Sequence, residues 1–400
     1  MNLGLRLIED VKRPFVGREE EATLVTVTVL SLGHCVLIGK PGTAKTAIIE
    51  RLASLIGADF RKYQLTKGTS LDDLFGYLDL KKFREGEIER VTKNTLIDAK
   101  IAFLDEIFDC SSSTLQALNS LLEGREVPLF YDKYEVPLLS LFGASNRVPE
   151  DPSLLAFYDR FMVKHFVNPV APEMIAEGLR RNILSMPLEE DGNDEYFEEE
   201  YVKMLRRRGR DSAKYKVADV VRFFNEVSRF MVRNVDAISE LTSRVVLKLR
   251  EAGIEVSDRM AMSPFHFPRL FSTHSFVFGT SLRLSAMRMA KYLVPYPELL
   301  GRYEEAIASL YPQELGEAER KLKEAQGLME NGNLNAAEER VKQARQLLAS
   351  ISERPEFLES YNEEVSELTA SCDGILRYIA EKKAELRAEL RRGAKVATTT

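Results

Sequence analysis

Short apolar runs alternate with longer amphipathic segments between about residues 15 and 170. The runs predict five β-strands, at residues 35–39, 60–65, 101–105, 138–144 and 162–167. The segments between the runs have helical periodicity and predict helices. Because strands that alternate with helices form parallel sheets covered on both faces, we expect an αβα sandwich in this part of the chain.

The remaining sequence has apolar residues at helical spacing. Helices are predicted over residues 171–185, 216–251 and about 266–294. From residue 313 the chain is rich in Ala, Glu, Lys, Arg and Leu, which predicts a helical hairpin or a three-helix coiled element with breaks at 331–333 and 353–355. The predicted domains are an αβα core at 1–170, an all-helical domain at 171–312, a helical extension at 313–392 and a disordered tail at 393–400.

Composition narrows the class of protein. The chain has 400 residues, of which 44% are apolar and 30% charged, and its net charge is -6. This mildly acidic balance argues against a dedicated nucleic-acid binder, and the basic cluster at 203–210 is read as a solvated face. The apolar stretch at about 24–38 contains polar residues, so it divides better into a core helix and a buried strand than into a membrane span.

Two further features favour a cytoplasmic protein. Three cysteines, Cys35, Cys110 and Cys372, are far apart and show neither a disulfide framework nor metal-site spacing, which suits a reducing cytosol. The first ten residues carry acids and lack the apolar block of a signal peptide.

A Gly-rich loop between the first predicted strand and a helix carries the clearest chemistry. Its backbone N–H groups can converge on the phosphates of a nucleotide, the Lys45 ammonium can reach the β- and γ-phosphates, and the Thr46 hydroxyl can bind Mg²⁺. Ala44 stands where the usual loop has its last Gly, but it is small enough to let the backbone approach. The predicted binding residues are Gly39, Lys40, Pro41, Gly42, Thr43, Ala44, Lys45, Thr46 and Ala47.

Two adjacent acids end the predicted strand at 101–105. In a parallel sheet this strand can lie beside the strand that feeds the phosphate loop, so that its end faces the same crevice. Asp105 would then hold Mg²⁺, and Glu106 would polarise the water that attacks the γ-phosphate. The simpler alternative, an acid that caps the next helix, fits one of the two residues.

Two more polar residues follow apolar segments. Asn146, after the predicted strand at 138–144, could orient the attacking water or touch the γ-phosphate, although an isolated Asn before Pro149 would be read as a turn residue. Arg160, after a short predicted helix, could act as an arginine finger on the nucleotide of a neighbouring subunit. An exposed Arg taken alone is more often a surface charge.

In this order, the motifs resemble those of the AAA+ ATPases and, within them, the MoxR family near its RavA-like branch. The similar segments cover roughly residues 5 to 295. They are Phe15–Glu19 (adenine-side box), the loop at 39–46, Asp73–Gly76 and Gly86–Arg90 (an insert), Phe103–Ile107 (acidic box), Gly143–Asn146 (sensor 1), Leu155–Phe161 (arginine finger) and Val256–Arg259 (sensor 2).

The resemblance implies site residues beyond those read from the loop and the acids. Val16 and Gly17 would lie on the adenine side, and the family also carries Ala at the position of Ala44. Arg259 would contact the γ-phosphate of its own chain from a helical lid. Pro264 and Pro268 interrupt the expected lid helix, which leaves Arg269 as the other candidate.

The resemblance also implies an activity. The expected protein is an AAA+ ATP hydrolase with a five-stranded parallel sheet, an all-helical lid and a coiled-coil extension, using ATP and Mg²⁺. A trans-acting arginine couples hydrolysis to ring geometry, so a closed homo-oligomer, a hexamer, is expected. MoxR proteins resemble chaperones that mature client complexes, often beside a protein with a von Willebrand A domain.

Two other functions stay open at this point. The chain could be a nucleotide-gated binding module with slow hydrolysis that uses its helical tail as an adaptor. It could also be an AAA+ motor that acts on nucleic acid, although the acidic balance of the sequence argues against that function.

Overall fold

A computed structural model describes residues 2–129, 132–184, 213–308, 310, 313–330, 332–352 and 355–397. The basic cluster predicted as a solvated face at 203–210 lies outside these residues. The described chain divides into two compact units, one formed by residues 1–250 and 254–300 and the other by 251–253 and 301–400. The predicted boundary between core and lid falls inside the first unit and stays a prediction.

The first unit is built on a five-stranded parallel sheet, which confirms the predicted α/β fold class. Two additional two-stranded antiparallel ribbons, β3–β4 and β6–β7, were not predicted. The strands are β1 (Cys35–Ile38), β2 (Phe60–Gln64), β3 (Tyr77–Leu78), β4 (Arg90–Val91), β5 (Ile101–Asp105), β6 (Glu126–Leu129), β7 (Asp132–Glu135), β8 (Ser140–Ser145) and β9 (Val163–Phe166).

The strand order β2-β5-β8-β1-β9 corrects one expectation. The acidic strand β5 does not lie beside β1, because β8 pairs with both of them. Ile38 lies opposite Ser145 of β8, and Leu104 of β5 lies opposite Gly143. All six residues of β8 are buried, as expected of a central strand. The ends of β1, β8 and β5 therefore meet at one edge of the sheet, with the end of β8 in the middle.

Both faces of the sheet are covered. On one face, Val36, Ala102 and Leu104 share an apolar core with the helices at Ser112–Gly124 and Pro152–Tyr158. Alternate strand residues, such as Leu37 and Phe103, point to the other face and are equally buried. The helices of this part are α1 (Leu3–Lys12), α2 (Glu19–Leu30), α3 (Lys45–Leu55), α4 (Leu71–Phe75), α5 (Leu80–Arg84), α6 (Ser112–Gly124) and α7 (Pro152–Tyr158), with a 3₁₀ turn at Leu96–Asp98.

The apolar stretch at 24–38 divides as predicted into helix α2 and strand β1. Nine of the twelve residues of α2 are buried, so its uniform apolarity reflects a helix inside the core. Among the residues that the structure describes, no helix is both long and apolar enough to cross a membrane.

Helices also form the rest of the first unit. The two predicted helical segments each break once, at Asn234 and near Gly279, where a left-handed φ of 66° ends one helix before Ser281 caps the next. The helices are α8 (Pro172–Leu184), α9 (Val217–Arg233), α10 (Val235–Glu251), α11 (Asp258–Met262), α12 (Phe267–Phe278) and α13 (Leu282–Ala290), followed by 3₁₀ turns at Lys291–Leu293 and Pro297–Leu299.

The second unit is helical. It contains α14 (Leu300–Ala308), α15 (Gln313–Glu330), α16 (Leu334–Ser352) and α17 (Pro355–Ala397). The apolar faces of the last three helices form one core that includes Leu322, Val341 and Leu368. Helix α17 bends at Tyr361, whose φ of -130° is not helical, and continues through residues 393–397, which were predicted to belong to a disordered tail.

Candidate functional site

The predicted phosphate loop connects β1 to α3 and folds around its own lysine. The Lys45 Nζ donates to the carbonyl oxygens of Gly39 at 2.5 Å and Lys40 at 3.0 Å. The Gly39 N–H donates to the Ser145 carbonyl oxygen at the end of β8, at 2.9 Å. Lys45 is 9% exposed, so its ammonium is held inside the loop rather than in solvent.

Two residues of the loop have left-handed backbone conformations. Gly42 has φ 79°, which costs a glycine little, and Ala44, at the N-cap of α3, has φ 63°. An Ala in this region is strained by about 1–2 kcal/mol, and such strain concentrates at functional sites. Since Ala44 adopts the conformation that glycine favours, the loop keeps the shape in which N–H groups at a helix start can bind an anion. The residues present therefore fit a nucleotide phosphate.

Gly39 is required for a steric reason. A Cβ at this position would lie 2.5 Å from the carbonyl oxygen of Val167, a backbone atom that cannot turn aside. We expect Gly39→Ala to lower the free energy of unfolding by about 1–3 kcal/mol, the usual cost of overpacking. At Gly68 the nearest atom to a Cβ is 3.8 Å away. Gly68→Ala is therefore the matched control, and urea unfolding of both variants should separate them; equal stabilities would refute the steric reason.

The acidic pair, Asp105 and Glu106, lies at the end of β5, between strands β2 and β8. The Asp105 carbonyl oxygen accepts from Leu65 N at 2.9 Å, and Ile107 N donates to the Ala144 carbonyl oxygen at 3.0 Å. Between these two anchors Glu106 adopts a left-handed φ of 49°, a second strained non-glycine residue at this edge of the sheet.

Asn146 and Glu106 are in direct contact. The Asn146 Nδ2 donates to the Glu106 Oε1 at 2.7 Å, so the residue after β8 reaches the acid after β5. Burial raises the pKa of Glu106, as do the nearby carboxylates of Asp105 and Asp109, while Lys45 and Arg147 act in the opposite direction. The structure thus brings the predicted acid and the predicted sensor amide together.

The charges of the acidic pair also interact with Lys45 of the phosphate loop. Burial lowers the pKa of Lys45, and the charges of Asp105 and Glu106 oppose that effect. Among the described residues there is no cluster of three or more His, Cys, Asp or Glu side chains arranged to hold a metal by themselves. Proteins usually bind Mg²⁺ with one or two oxygen ligands together with substrate phosphates. Thr46 and Asp105 are the predicted pair.

The predicted adenine-side residues pack against α8. A Cβ on Gly17, whose φ is 68°, would lie 2.8 Å from the Met174 Sδ and 2.9 Å from a methyl carbon of Val170. Val16 lies close to Gly178 of the same helix. The contacts of Met174 and Val170 with this segment were not predicted from the sequence, because the sequence pattern does not tell which residues lie beside Val16 and Gly17.

The two predicted arginines lie together. The Arg160 Nε contacts the Glu123 Oε1 at 2.8 Å, and the Arg259 Nη2 contacts the same oxygen at 3.0 Å. Arg269, the other candidate for the lid, is 4% exposed; it stacks on the Phe224 ring at 3.9 Å and donates to the Ser228 Oγ at 2.9 Å. A buried, stacked guanidinium is typical of a packing role, and the choice between Arg259 and Arg269 for the lid stays a prediction.

Comparison with protein families gives one match, which covers just under half of the chain. Residues 4–200 match the model of the "MoxR domain in the MoxR-vWA-beta-propeller ternary systems". This range includes the phosphate loop, the acidic pair, Asn146 and Arg160, and it ends before the helices that carry Arg259.

Related proteins are found in archaea and bacteria. An uncharacterised protein of Methanocaldococcus jannaschii is 34% identical over 64% of this chain and 61% of its own length. A second uncharacterised protein of that organism is 40% identical over 41% of this chain and 44% of its own length. The chaperone MoxR1 of Mycobacterium tuberculosis is 29% identical over 46% of this chain and 48% of its own. Each match thus spans less than two thirds of the relative.

A solved structure supports the fold. The crystal structure of a candidate ATPase from Cytophaga hutchinsonii superposes with a TM-score of 0.57 over 76% of this chain and 92% of its own. At 19% identity this likeness concerns the fold alone.

Proposed function

Because this chain belongs to the MoxR family, we propose that it binds ATP and hydrolyses it at the edge of the sheet where β1, β8 and β5 end. The observation that carries the proposal is the 2.7 Å hydrogen bond between Asn146 and Glu106, beside an acid pair that is electrostatically coupled to Lys45. We also propose that the chain belongs to the RavA-like branch of this family.

The loop and its neighbours would hold the substrate. The backbone N–H groups at residues 42–46 and the Lys45 ammonium would bind the phosphates, and Val16 and Gly17 would face the adenine. Thr46 and Asp105 would hold Mg²⁺, which when bound neutralises charge on the phosphate oxygens. In the structure the Lys45 Nζ bonds loop carbonyl oxygens, so a phosphate has to replace those partners.

Glu106 would activate the water. Its carboxylate accepts a proton as the water oxygen bonds to the γ-phosphorus, while the bond from that phosphorus to the bridging oxygen breaks and ADP leaves. The Asn146 amide, which donates to the Glu106 Oε1, fixes the direction of the carboxylate and can orient the same water.

Arg160 would act on the nucleotide of a neighbouring chain and stabilise the charge that develops on the transferred phosphoryl group. Such a site needs residues from two chains, so a closed ring, a hexamer, belongs to the proposal. The proposed ATPase function implies a cytoplasmic location, because ATP is available there.

The work done with the ATP is proposed from the family. The matching family model describes MoxR domains in systems with von Willebrand A and β-propeller proteins, and one relative is named a chaperone. We therefore propose that this chain remodels or matures a protein complex beside a partner with a von Willebrand A domain.

Lys45→Ala tests the binding part of the proposal. Loss of a buried ammonium that pairs with phosphate typically costs about 2–5 kcal/mol, so we expect ATP to bind about 10² to 10³ times more weakly. Lys93→Ala, at an exposed lysine outside the loop, is the control and should bind ATP as the wild type does. Calorimetric titration with ATP measures both variants. Equal affinity for Lys45→Ala and the wild type would exclude this loop as the phosphate site.

A further inference from the structure

Glu123 holds two arginines with a single oxygen. Its Oε1 lies 2.8 Å from the Arg160 Nε and 3.0 Å from the Arg259 Nη2. Arg160 comes from the segment after α7, and Arg259 comes from α11, which lies far along the chain. Among the described residues this carboxylate bridges the two guanidinium groups, while the Ala156 carbonyl oxygen also accepts from Arg160.

The position of Glu123 is unfavourable for a carboxylate on local grounds. It is the second-last residue of α6, where the carbonyl groups of the helix end give a partial negative charge that disfavours another anion. Nothing in the helix itself therefore calls for Glu at this place. The two arginines supply the compensating charge, so the residue serves the arginines rather than the helix.

The surroundings of the pair are richer in cations than in carboxylates. Lys164 is 3% exposed; its Nζ donates to the Phe161 carbonyl oxygen at 3.2 Å, and Asp159 is the carboxylate that acts on its pKa. The buried Nδ1 of His266 has no hydrogen-bond partner in the described structure. Burial lowers the pKa of His266 to about 4, and the charges of Lys164 and Arg259 lower it too, while Asp159 acts in the opposite direction. An anion presented here would meet an excess of positive charge.

Both guanidinium groups keep donors for such an anion. An arginine has five N–H donors, and the Glu123 contacts use the Nε of Arg160 and one terminal nitrogen of Arg259. The Arg160 Nη1 also donates to the Ala156 carbonyl oxygen at 2.5 Å. The side chains of Glu123 and Arg259 are 48% and 37% exposed and that of Arg160 is 19% exposed, so a ligand from outside the chain reaches the cluster mainly at Glu123 and Arg259.

We propose that Glu123 is a positioning residue that presents Arg160 and Arg259 as one unit to the γ-phosphate of a neighbouring chain. The inference rests on the proposed ATPase function and deepens it. Arg259, which the resemblance assigns to the nucleotide of its own chain, then acts together with Arg160 on the next site. Without the carboxylate, two like charges repel and separate before a nucleotide reaches them.

Glu123→Gln is the first test. The variant keeps the shape of the side chain and loses its charge, and a misplaced catalytic group can cost about 10-fold to 10²-fold in rate. We expect kcat to fall to that extent, while the Kd for ATP of the dilute, single chain stays unchanged. Glu126→Gln is the matched control, since Glu126 pairs instead with Lys133 at 2.5 Å, and it should keep the wild-type kcat.

A double-mutant cycle separates positioning from a general structural effect. If Glu123 acts through Arg160, adding Glu123→Gln to Arg160→Ala causes little further loss of kcat, because the two residues work as a unit. If the fold loss of kcat in the double variant equals the product of the losses in the two single variants, the proposal is wrong.

Arg259→Ala gives a second test, whose result does not depend on whether the Glu123→Gln variant folds. We expect a lower kcat with an unchanged Kd for ATP in the dilute chain. A lower affinity of that dilute chain for ATP would mean that Arg259 contacts the nucleotide of its own chain, and it would overturn the inference. If the wild type hydrolyses ATP and Glu123→Gln has the same kcat, this inference is wrong and the proposed function stands. If the wild type releases no phosphate, the proposed function is wrong, and so is the inference that rests on it.

Discussion

Replacing Glu106 by Gln should abolish ATP turnover and leave ATP bound. The amide of Gln has nearly the shape of the carboxylate and can still accept from the Asn146 Nδ2, but it cannot take a proton from water. General-base catalysis usually contributes about 10² to 10⁴-fold, so we expect kcat to fall by about that factor. Phosphate release measures the rate, and calorimetric titration measures the retained binding.

The control for this variant is Glu126→Gln, which removes a carboxylate from a neighbouring ribbon and should leave kcat intact. If Glu106→Gln turns over ATP as fast as the wild type, another group activates the water. Loss of binding together with turnover would mean that Glu106 supports the loop rather than the reaction.

Arg160→Ala should reduce turnover without weakening ATP binding to the single chain. An arginine finger supplied in trans contributes about 10³ to 10⁵-fold, and we expect a loss of kcat of about 10³-fold. The affinity of the dilute chain for ATP should not change, because Arg160 contacts Glu123 and Ala156 of its own chain and is proposed to act on the nucleotide of the next chain. An unchanged kcat in Arg160→Ala would remove the finger assignment.

Mixing the two inactive variants tests the trans geometry. A Glu106→Gln chain supplies an intact Arg160, and an Arg160→Ala chain supplies an intact Glu106. Where such chains are neighbours, one complete site forms and phosphate release should return to a measurable fraction of the wild-type rate. If the arginine acted within its own chain, no mixing ratio would restore turnover.

Strands β1, β5 and β8 were predictable because each is a short apolar run between polar segments. Their order was not, since hydrophobicity tells which residues are buried and not which strand is the neighbour. Strand β8 pairs with both β1 and β5, and so it separates two strands that the sequence suggested could be adjacent. The ribbons β3–β4 and β6–β7 were missed because their strands are only two to four residues long.

The candidate site was predictable where its residues form contiguous motifs. The phosphate loop and the acidic pair each occupy consecutive positions, and the structure brings Asn146 to Glu106 as their positions at neighbouring strand ends require. The left-handed backbone at Ala44 and Glu106 could not be read from the sequence, because neither residue type favours it.

Residues whose role depends on distant partners were missed. Glu123 is an ordinary residue near a helix end until Arg160 and Arg259 are placed beside it. The burial of Arg269 could likewise not be predicted, because it depends on the packing of α12 on α9, which places Arg269 against Phe224.

The most direct measurement is phosphate release from ATP by the wild-type chain in the presence of Mg²⁺, with the Lys45→Ala chain at the same concentration. We predict steady release by the wild type, a rate per chain that rises with chain concentration as neighbours assemble, and no release by Lys45→Ala. Equal release by the two chains, or none from the wild type at any concentration, would contradict the assignment of this sheet edge as an ATP-hydrolysing site.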